Sequence, residues 1–155
     1  MHSNASLLNK FYEAVQVHDH ETIADCYHPM AMFKDIAFEL EGKKKIHAMW
    51  RMIADTNLRI SYHIENANER GGTACWVADC TFKDTGREVH NELESTFQFQ
   101  DGLILTQVDD CNPWNWGKQA LGPAYGFVSW LIPAVLRKKA KAKLDDFVSQ
   151  HPEYQ

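Results

Sequence analysis

Three features of the amino-acid sequence predict an α+β fold. Apolar residues recur at helical spacing before residue 56 and again after residue 135. Between these segments, four long runs alternate apolar and polar residues with the two-residue period of half-buried strands. Short segments rich in Gly and Asp separate the runs, and such short connections make successive strands antiparallel neighbours. The predicted order is three helices with one strand between the second and third, a four-stranded meander, and a further C-terminal helix.

Composition and charge favour one small domain. The chain has 155 residues, of which 45% are hydrophobic, and this is enough apolar material for a core. A net charge of −5 argues against nucleic acid as a partner, because phosphate binding relies on a basic surface. No secretory signal and no run of about 18 apolar residues is evident, so a cytoplasmic location is expected. Four cysteines lack metal-ligand spacing and are predicted to be reduced thiols, without a metal site: Cys26, Cys75, Cys80 and Cys111.

Spacing and capping residues predict the first two helices. Asn4 or Ser6 is a candidate N-cap for the first helix. Asp19 is the candidate N-cap of the second helix, which would end near Pro29. The apolar face of the first helix comprises Leu7, Leu8, Phe11, Tyr12 and Val15. Together the two helices would form a short hairpin.

An early strand and a third helix follow. The strand is predicted over Met32–Leu40, with Phe33 and Asp35 on one face, where Asp35 is the only charged residue. Gly42 then turns the chain into the third helix. The narrow apolar stripe of this helix predicts that Trp50 faces the core.

Hairpin signals connect the four runs of the meander. The runs are Leu58–Asn68, Thr73–Lys83, Arg87–Gln100 and Leu103–Asn112. The turns between them are predicted at Gly71-Gly72, Asp84-Thr85-Gly86 and Asp101-Gly102. The last of these is a strong signal, because both residues tolerate a positive φ.

Strand periodicity puts polar groups on the apolar face of the last hairpin. On the third run this face comprises Val89, Asn91, Leu93, Ser95, Phe97 and Phe99. On the fourth run it comprises Leu103, Leu105, Gln107, Asp109 and Cys111. A carboxylate and several polar groups would then lie in an apolar concavity, and this mixture is typical of a ligand pocket.

The C-terminal segment combines an apolar run with a basic helix. Pro133 would kink or interrupt a helix in the apolar run Ala124–Val135. The helical stripe beyond it comprises Leu136, Ala140, Leu144, Phe147 and Val148, and the remaining surface carries Arg137, Lys138, Lys139, Lys141 and Lys143. Such a helix packs on the sheet or across a subunit interface with a solvated basic face, or it lies on an anionic membrane. The packed arrangement is favoured, with residues 1–117 forming the domain and 118–155 a helical extension on it.

Several residues resemble the nuclear transport factor two-like superfamily, in its ketosteroid isomerase-like and SnoaL-like polyketide cyclase branch. Tyr27 precedes Asp35 by eight residues, and Gly42 and Ile46–Trp50 follow. Later motifs resemble an uncharacterised bacterial SnoaL-like subgroup: Thr85-Gly86-Arg87, Phe97-x-Phe99-x-Asp101-Gly102, Asp109 and Trp114-x-Trp116. The resemblance implies a cone-shaped, curved antiparallel sheet wrapped around helices, an apolar small-molecule ligand and a homodimer formed through the sheet.

The same resemblance implies catalytic roles for two carboxylates. Asp35 matches the general base of ketosteroid isomerases, and Asp109 matches the acid/base of SnoaL-like cyclases. The predicted pocket comprises Phe11, Tyr27, Phe33, Trp50, Asn91, Ser95, Phe97, Gln107 and Trp114, although Trp114 is also read as a packing residue. Phe11 and Ser95 stand where ketosteroid isomerases have the tyrosine and the protonated aspartic acid that stabilise the dienolate. A true steroid isomerase is therefore not expected.

Three functions remain open on this basis. The leading one is a cofactor-independent isomerase or cyclase, in which Asp35 abstracts a proton from an apolar carbonyl compound and Asp109 protonates its oxygen. The second is an epoxide hydrolase-like reaction; limonene epoxide hydrolases use an Asp-Arg-Asp set, and the inner strand faces here carry no arginine. The third is a non-catalytic binding or assembly module. The distance between the two carboxyl groups separates these functions: if the groups do not share one open cavity, the acid-base proposal fails and the binding module is favoured.

Overall fold

The computed structural model describes residues 2–123 and 131–155. Its helices are α1 (Ser3–Gln16), α2 (His20–Asp25), α3 (Lys43–Ala54), α4 (Pro113–Leu121) and α5 (Ile132–Gln150). Its strands are β1 (Tyr27–Lys34), β2 (Glu39–Glu41), β3 (Arg59–Asn68), β4 (Gly71–Phe82), β5 (Arg87–Gln100) and β6 (Leu103–Cys111). A 3₁₀ turn, Pro152–Tyr154, follows α5.

One curved, open sheet of six strands organises the fold, in the order β2-β1-β6-β5-β4-β3. Strands β3 to β6 form the predicted antiparallel meander. Strand β1 pairs with β6 in parallel, and β2 pairs with β1 antiparallel. The predicted α+β class is confirmed, and the parallel pairing with β6 places β1, the first strand of the chain, beside the last strand.

Helices α1 and α3 cover the inner face of the sheet, and the aromatic core lies beneath them. Phe11 of α1 is fully buried at its centre. The Phe11 ring makes edge contacts with Tyr12, Tyr27, Trp50 and Phe97, at centroid distances of 4.9, 5.8, 5.7 and 6.2 Å respectively. Such T-shaped pairs add about 0.5–1.5 kcal/mol each beyond their area burial. Trp50 faces this core, as predicted.

The early strand was predicted to be continuous, and this is wrong. Strand β1 ends at Lys34, and residues 35–38 form a turn before β2. The Asp35 carboxylate makes the turn, because its Oδ1 accepts hydrogen bonds from the backbone N–H groups of Ala37 (2.8 Å) and Phe38 (2.6 Å). A short side-chain acceptor that reaches its own backbone in this way competes with an extended strand.

A β-bulge at the start of β6 changes which residues face the core there, so the predicted alternation is wrong at this point. Gln98 lies opposite Thr106, but Phe99 lies opposite Ile104, so Leu105 is the extra residue. Leu103 and Leu105 were predicted to face the core, but because of the bulge the residue between them, Ile104, is the buried one. Beyond the bulge the alternation is as predicted, with Gln107 and Asp109 buried on the inner face.

Three predicted local details also differ from the structure. The turn between β3 and β4 is formed by residues 69 and 70, and the two glycines predicted to form it begin β4. The N-cap of α1 is His2, whose Nδ1 accepts from the Asn4 N–H at 3.1 Å, so a ring nitrogen replaces the predicted side-chain oxygen. Asp19 caps α2 as predicted, by accepting from the Thr22 N–H at 3.1 Å. That helix ends at Asp25, well before Pro29, which lies in β1.

Helix α5 packs through the predicted apolar stripe, in which Ala140 and Leu144 are buried. Pro133 lies in the first turn of α5, where a backbone N–H would have no partner within the helix, so its absence does not interrupt the helix. Residues 124–130 of the predicted apolar run lie outside the described residues. Two of its lysines pair with acids: Lys141 with Asp145 at 3.2 Å and Lys143 with Asp84 at 3.4 Å. Among the described helices, none is long and apolar enough to cross a membrane. The domain division and the cytoplasmic location stay predictions.

Candidate acid-base site

Asp109 occupies the inner face of β6, beneath the aromatic core, and is 5% exposed. Its Oδ1 accepts hydrogen bonds from the Ser95 hydroxyl at 2.5 Å and from Gln107 Nε2 at 2.9 Å. Ser95 lies directly opposite Asp109 on β5, and Gln107 lies two residues away on the same strand face. Strand pairing therefore brings the Ser95 donor, and the two-residue period of β6 brings the Gln107 donor, to one oxygen.

Further side chains extend this arrangement in both directions. The Ser95 hydroxyl oxygen accepts from Trp76 Nε1 at 2.8 Å. On the other side, Gln107 Oε1 accepts from the Tyr27 hydroxyl at 2.5 Å, and the Tyr27 oxygen accepts from Trp50 Nε1 at 3.1 Å. The two indole groups close the ends of a buried network of six side chains. Such a network holds its members in one arrangement, because every broken link leaves a buried polar group unpaired.

Burial controls the protonation of Asp109. Loss of solvation raises the pKa of its carboxyl group to about 7, from an ordinary value of 3.8. The hydrogen bonds from Ser95 and Gln107 oppose this rise, while the negative charge of Asp35 adds to it. Asp109 therefore titrates near neutral pH.

Asp35 is a second carboxyl group with a raised pKa. It lies in the turn between β1 and β2 and is partly buried. Burial raises its pKa to about 6, against the opposing effects of the N–H groups of Phe38 and Ala37 and of the positive charge of Arg137. Its charge acts on Asp109, so the two groups are electrostatic neighbours, although one is held by backbone and the other by side chains.

Each carboxyl group keeps one oxygen outside these hydrogen bonds. For both Asp35 and Asp109 the bonds within the described part of the chain go to Oδ1. Oδ2 is left to hold or release a proton in each case. This division is what an acid or base requires, because the fixed oxygen sets the orientation and the other oxygen reacts.

The hydroxyl group of Tyr12 lies beside this network without joining it. Tyr12 is 1% exposed, and its hydroxyl makes no hydrogen bond to any described residue. Burial raises the pKa of the Tyr12 hydroxyl, the negative charge of Asp109 adds to this rise, and the nearby Ser95 hydroxyl opposes it. A buried hydroxyl without a partner is costly, so an unpaired donor next to Asp109 marks a place where a ligand atom would be favourable.

The family model described as a SnoaL-like domain matches residues 8–107 of the chain, a span that contains Asp35, Ser95 and Gln107. The chain belongs to this family. No curated protein sequence matches it significantly.

Solved structures with SnoaL-like or related folds resemble the chain at low sequence identity. A provisionally assigned polyketide cyclase from Silicibacter sp. TM1040 has a TM-score of 0.69 at 16% identity, over 76% of this chain and 95% of the other. An LEH-like epoxide hydrolase from M. tuberculosis has a TM-score of 0.62 at 15% identity, over 84% and 96%. A provisionally assigned isomerase from Rhodopseudomonas palustris has a TM-score of 0.63 at 20% identity, over 79% and 98%. At these identities the likeness establishes the fold.

Most of the predicted pocket residues of this SnoaL-like chain come together. The buried ones are Phe11, Tyr27, Phe33, Trp50, Ser95, Phe97 and Gln107. Asn91 is half-buried. Burial raises the pKa of the neighbouring Cys111 thiol, and a hydrogen bond with Asn91 opposes part of this rise. Trp114 does not join them: it is 42% exposed on α4, with Lys118 Nζ 5.9 Å from its ring centroid. Its position after the sheet, at the first turn of a helix, puts it on the surface.

Open space lies beside the site and not around the two carboxyl groups. A cleft of about 670 Å³ separates β2 from α5, with Phe38, Leu144 and Arg137 among its lining residues. Neither Asp35 nor Asp109 lines this cleft or the four smaller ones found among the described residues. Phe38 belongs to the Asp35 turn, so the cleft reaches the edge of the site.

Sequence reasoning missed three residues of the site. Trp76 lies on the inner face of β4, and the alternation of that strand could have identified it. Tyr12 was assigned to the apolar face of α1, but periodicity does not show that its hydroxyl lacks a partner. Arg137 approaches Asp35 from α5, and no sequence pattern relates residues about a hundred positions apart.

Proposed function

We propose that this SnoaL-like protein binds an apolar carbonyl compound and transfers a proton on it, without a cofactor, as an isomerase or cyclase. The observation that carries the proposal is the pair of neighbouring carboxyl groups with pKa values of about 6 and about 7. Groups that titrate near neutral pH, each with one fixed oxygen, are suited to acid-base work.

We assign the roles from the electrostatic effect that Asp35 exerts on Asp109. Between pH 6 and pH 7 the favoured state has Asp35 ionised and Asp109 protonated, because the first charge raises the pKa of the second group. Asp35 then takes a proton from the carbon next to the carbonyl, and Asp109 donates a hydrogen bond or its proton to the carbonyl oxygen. No net charge leaves the site in this exchange.

Tyr12 supports the second half of this reaction. A ligand oxygen near Asp109 Oδ2 would also meet the unpaired Tyr12 hydroxyl. Two donors on one developing oxyanion stabilise it more than one, and loss of such a donor costs about a hundred- to a thousandfold in turnover. Phe11 and Ser95 stand where ketosteroid isomerases have these two donors. In this proposal the donors are instead Tyr12, which follows Phe11 in the chain, and Asp109, which lies opposite Ser95 in the sheet.

The ligand would enter from the cleft between β2 and α5. A volume of about 670 Å³ suits a small organic molecule, and apolar side chains such as Phe38 and Leu144 line it. Neither Asp35 nor Asp109 lines this cleft, so the reaction requires the side chains at its inner end, including Phe38, to move and open a cavity that both carboxyl groups share. Without that movement the binding module is favoured.

Deuterium exchange tests the proposal on a range of apolar carbonyl compounds, because it measures proton transfer at carbon directly. Apolar ketones and enones are incubated with the protein in D₂O, and loss of the α-proton signal is followed by ¹H NMR. Asp35→Asn and Asp109→Asn are expected to slow exchange by about 10²–10⁴-fold. The matched control is Asp110→Asn, an exposed carboxylate on the outer face of β6, which is expected to leave the rate unchanged.

Each result has a distinct meaning. Equal exchange rates in wild type and Asp35→Asn would remove Asp35 from the mechanism. Ligands that bind, as measured by calorimetry, but never exchange would identify a binding module, a function that the separation of the clefts from the carboxyl groups favours. The exchange rate is also expected to peak between pH 6 and pH 7, where one group is ionised and the other protonated.

An epoxide hydrolase-like reaction is the second candidate, and Arg137 favours it. The inner strand faces lack an arginine, which disfavours this reaction, but the positive charge of Arg137 on α5 acts on Asp35 instead. Its Nε is buried without a partner among the described residues. Hydrolysis of apolar epoxides that is lost in Arg137→Met, with ketone exchange absent, would favour this reaction over the first.

We also infer a homodimer through the outer face of the sheet. Met32 of β1 and Val108 of β6 are 49% and 44% exposed on this face, on adjacent paired strands. Exposed apolar side chains on a sheet face favour contact with a partner. Analytical ultracentrifugation should give twice the mass of one chain, and Val108→Glu should give the mass of one chain; a monomeric wild type would disprove the dimer.

A further inference from the structure

A cluster of two histidines and a glutamate lies where α2 meets α3, apart from the acid-base site. His20 and Glu21 begin α2, and His47 lies in the second turn of α3. His20 Nδ1 is 2.9 Å from His47 Nε2 and 3.8 Å from Glu21 Oε1. Within the described ranges, this is the one group of three histidine, cysteine or acidic residues whose candidate ligand atoms all lie within 4.8 Å of one another.

We propose that His20, His47 and Glu21 bind a divalent transition-metal ion, with Zn²⁺ the best fit. Zinc takes imidazole nitrogens at about 2.0–2.1 Å in a tetrahedral arrangement, which puts two ligand atoms about 3.3 Å apart. The His20–His47 separation is a few tenths of an ångström below this value, and the His20–Glu21 separation is a few tenths above it. The Glu21 oxygen and the His47 nitrogen lie within 4.8 Å of each other. Side-chain rotations, mainly of the exposed Glu21, would bring all three atoms to one ion, and water would complete the shell.

Without a metal, the two imidazoles share one hydrogen in an N–H···N bond. Binding requires lone pairs on both facing nitrogens, so the shared hydrogen moves to the far nitrogen of its own ring. Both imidazoles stay neutral and no proton need leave the protein. The ion therefore replaces a hydrogen bond that already holds the two facing nitrogens 2.9 Å apart, and little reorganisation of the two histidines is needed.

The fold fixes the two histidines on separate elements. Asp19 caps the first turn of α2, which holds His20 and Glu21 in place. His47 packs against the Tyr154 ring with centroids 5.0 Å apart, and Tyr154 belongs to the 3₁₀ turn after α5. A metal here would connect α2 to α3 under the C-terminal turn, so its expected role is structural.

Charges around the cluster are mixed and do not prevent cation binding. Glu21 and Asp25 place negative charge near His47, and Lys43 places one positive charge there. Glu21 is exposed and long enough to move onto an ion.

Metal titration of the full chain tests the site. Calorimetry with Zn²⁺, and visible absorption with Co²⁺, are expected to show one equivalent bound per chain to nitrogen and oxygen ligands. His47→Gln and His20→Gln should abolish the equivalent, and Glu21→Gln should weaken binding by at least tenfold. With metal at a hundred times its dissociation constant, the melting temperature should rise by about 5–10 °C in wild type and not in His47→Gln.

His63→Gln provides the matched control. His63 is exposed on β3 and lies opposite Cys75, so it tests for binding by a different histidine with a thiol. Retention of the equivalent in His63→Gln, and its loss in both variants of the cluster, would support the proposal. No binding to wild type, a thiolate charge-transfer band with Co²⁺, or a full equivalent in His47→Gln would overturn it. Circular dichroism of each variant checks that loss of binding is not loss of fold, and Glu21→Gln keeps the test valid if a histidine variant unfolds.

Discussion

Asp109 and Asp35 carry similar raised pKa values in opposite kinds of environment. Asp109 is buried on a sheet face and is held by the side chains of Ser95 on the neighbouring strand β5 and of Gln107 on its own strand. Asp35 is partly buried in a turn and is held by the backbone N–H groups that follow it in the chain. Side chains of other residues therefore fix the orientation of Asp109, whereas the backbone of its own turn fixes the orientation of Asp35. The two should therefore differ in what their loss costs, in their pH dependence and in their effect on each other.

Removing the carboxyl groups should give the largest difference in stability. Asp109→Ala leaves the Ser95 hydroxyl and the Gln107 amide unpaired in the core, at about 1–3 kcal/mol each. Asp35→Ala frees two backbone N–H groups in a partly exposed turn, where water can replace the carboxylate, at about 1 kcal/mol. Urea denaturation at pH 5, where both groups are mainly neutral, measures the difference. Equal losses in the two variants would contradict the contrast, and Asp110→Ala controls for removal of an exposed carboxylate.

The pH dependence of stability should differ next. The pKa of Asp109 is raised in the folded state to about 7 from 3.8, so folding takes up a proton between these values. The contribution of Asp109 to the free energy of unfolding is then largest below about pH 4 and declines as the pH rises to about 7. Asp109→Asn keeps an oxygen for Ser95 and Gln107 and should remove most of the decline, on the order of 2–4 kcal/mol by pH 8.

Denaturation curves at pH 5, 6, 7 and 8 measure this decline in wild type and in each variant. Asp35→Asn should remove a smaller part of it, because the pKa of Asp35 is raised only to about 6. A wild-type stability that rises from pH 5 to pH 8 would show that the Asp109 carboxyl is not protonated in the folded protein.

Much of the Asp109 environment could be predicted from sequence. Alternation places Ser95, Gln107 and Asp109 on one face, because a strand has only two faces and its apolar residues mark the inner one. The hydrogen bonds themselves follow from strand register, which the Asp101-Gly102 turn fixes. Only the bulge at Leu105 interrupted the pattern, and a single inserted residue leaves no signal in an alternating apolar run.

The Asp35 environment could not be predicted in the same way. Its turn results from a balance between extended backbone and a local side-chain hydrogen bond, and a strand-like sequence permits both. Arg137 and the cleft come from the packing of α5, which depends on tertiary contacts. The pairing of His20 with His47 likewise joins two helices whose relative position periodicity does not give.

A one-way effect should connect the two carboxyl groups. The pKa values imply that Asp35 ionises while Asp109 is still neutral, so its charge raises the pKa of Asp109. Asp109→Asn then replaces one neutral group with another and should leave the pKa of Asp35 almost unchanged. Asp35→Asn should lower the pKa of Asp109. Carboxyl ¹³C chemical shifts followed from pH 4 to pH 9 measure both values, and a large shift of Asp35 in Asp109→Asn would reverse the order of ionisation.

Two tyrosines at the Asp109 site give the smallest and most selective contrast. Tyr27→Phe leaves Gln107 Oε1 and Trp50 Nε1 unpaired and should cost about 1–3 kcal/mol. Tyr12→Phe removes a buried hydroxyl without a hydrogen bond to any described residue, so stability should stay within about 0.5 kcal/mol or rise. If that hydroxyl serves a ligand oxygen, Tyr12→Phe should still slow ketone exchange while the melting temperature is preserved. Loss of both exchange and stability in Tyr12→Phe would mean that the hydroxyl is structural, and unchanged exchange would remove it from the site.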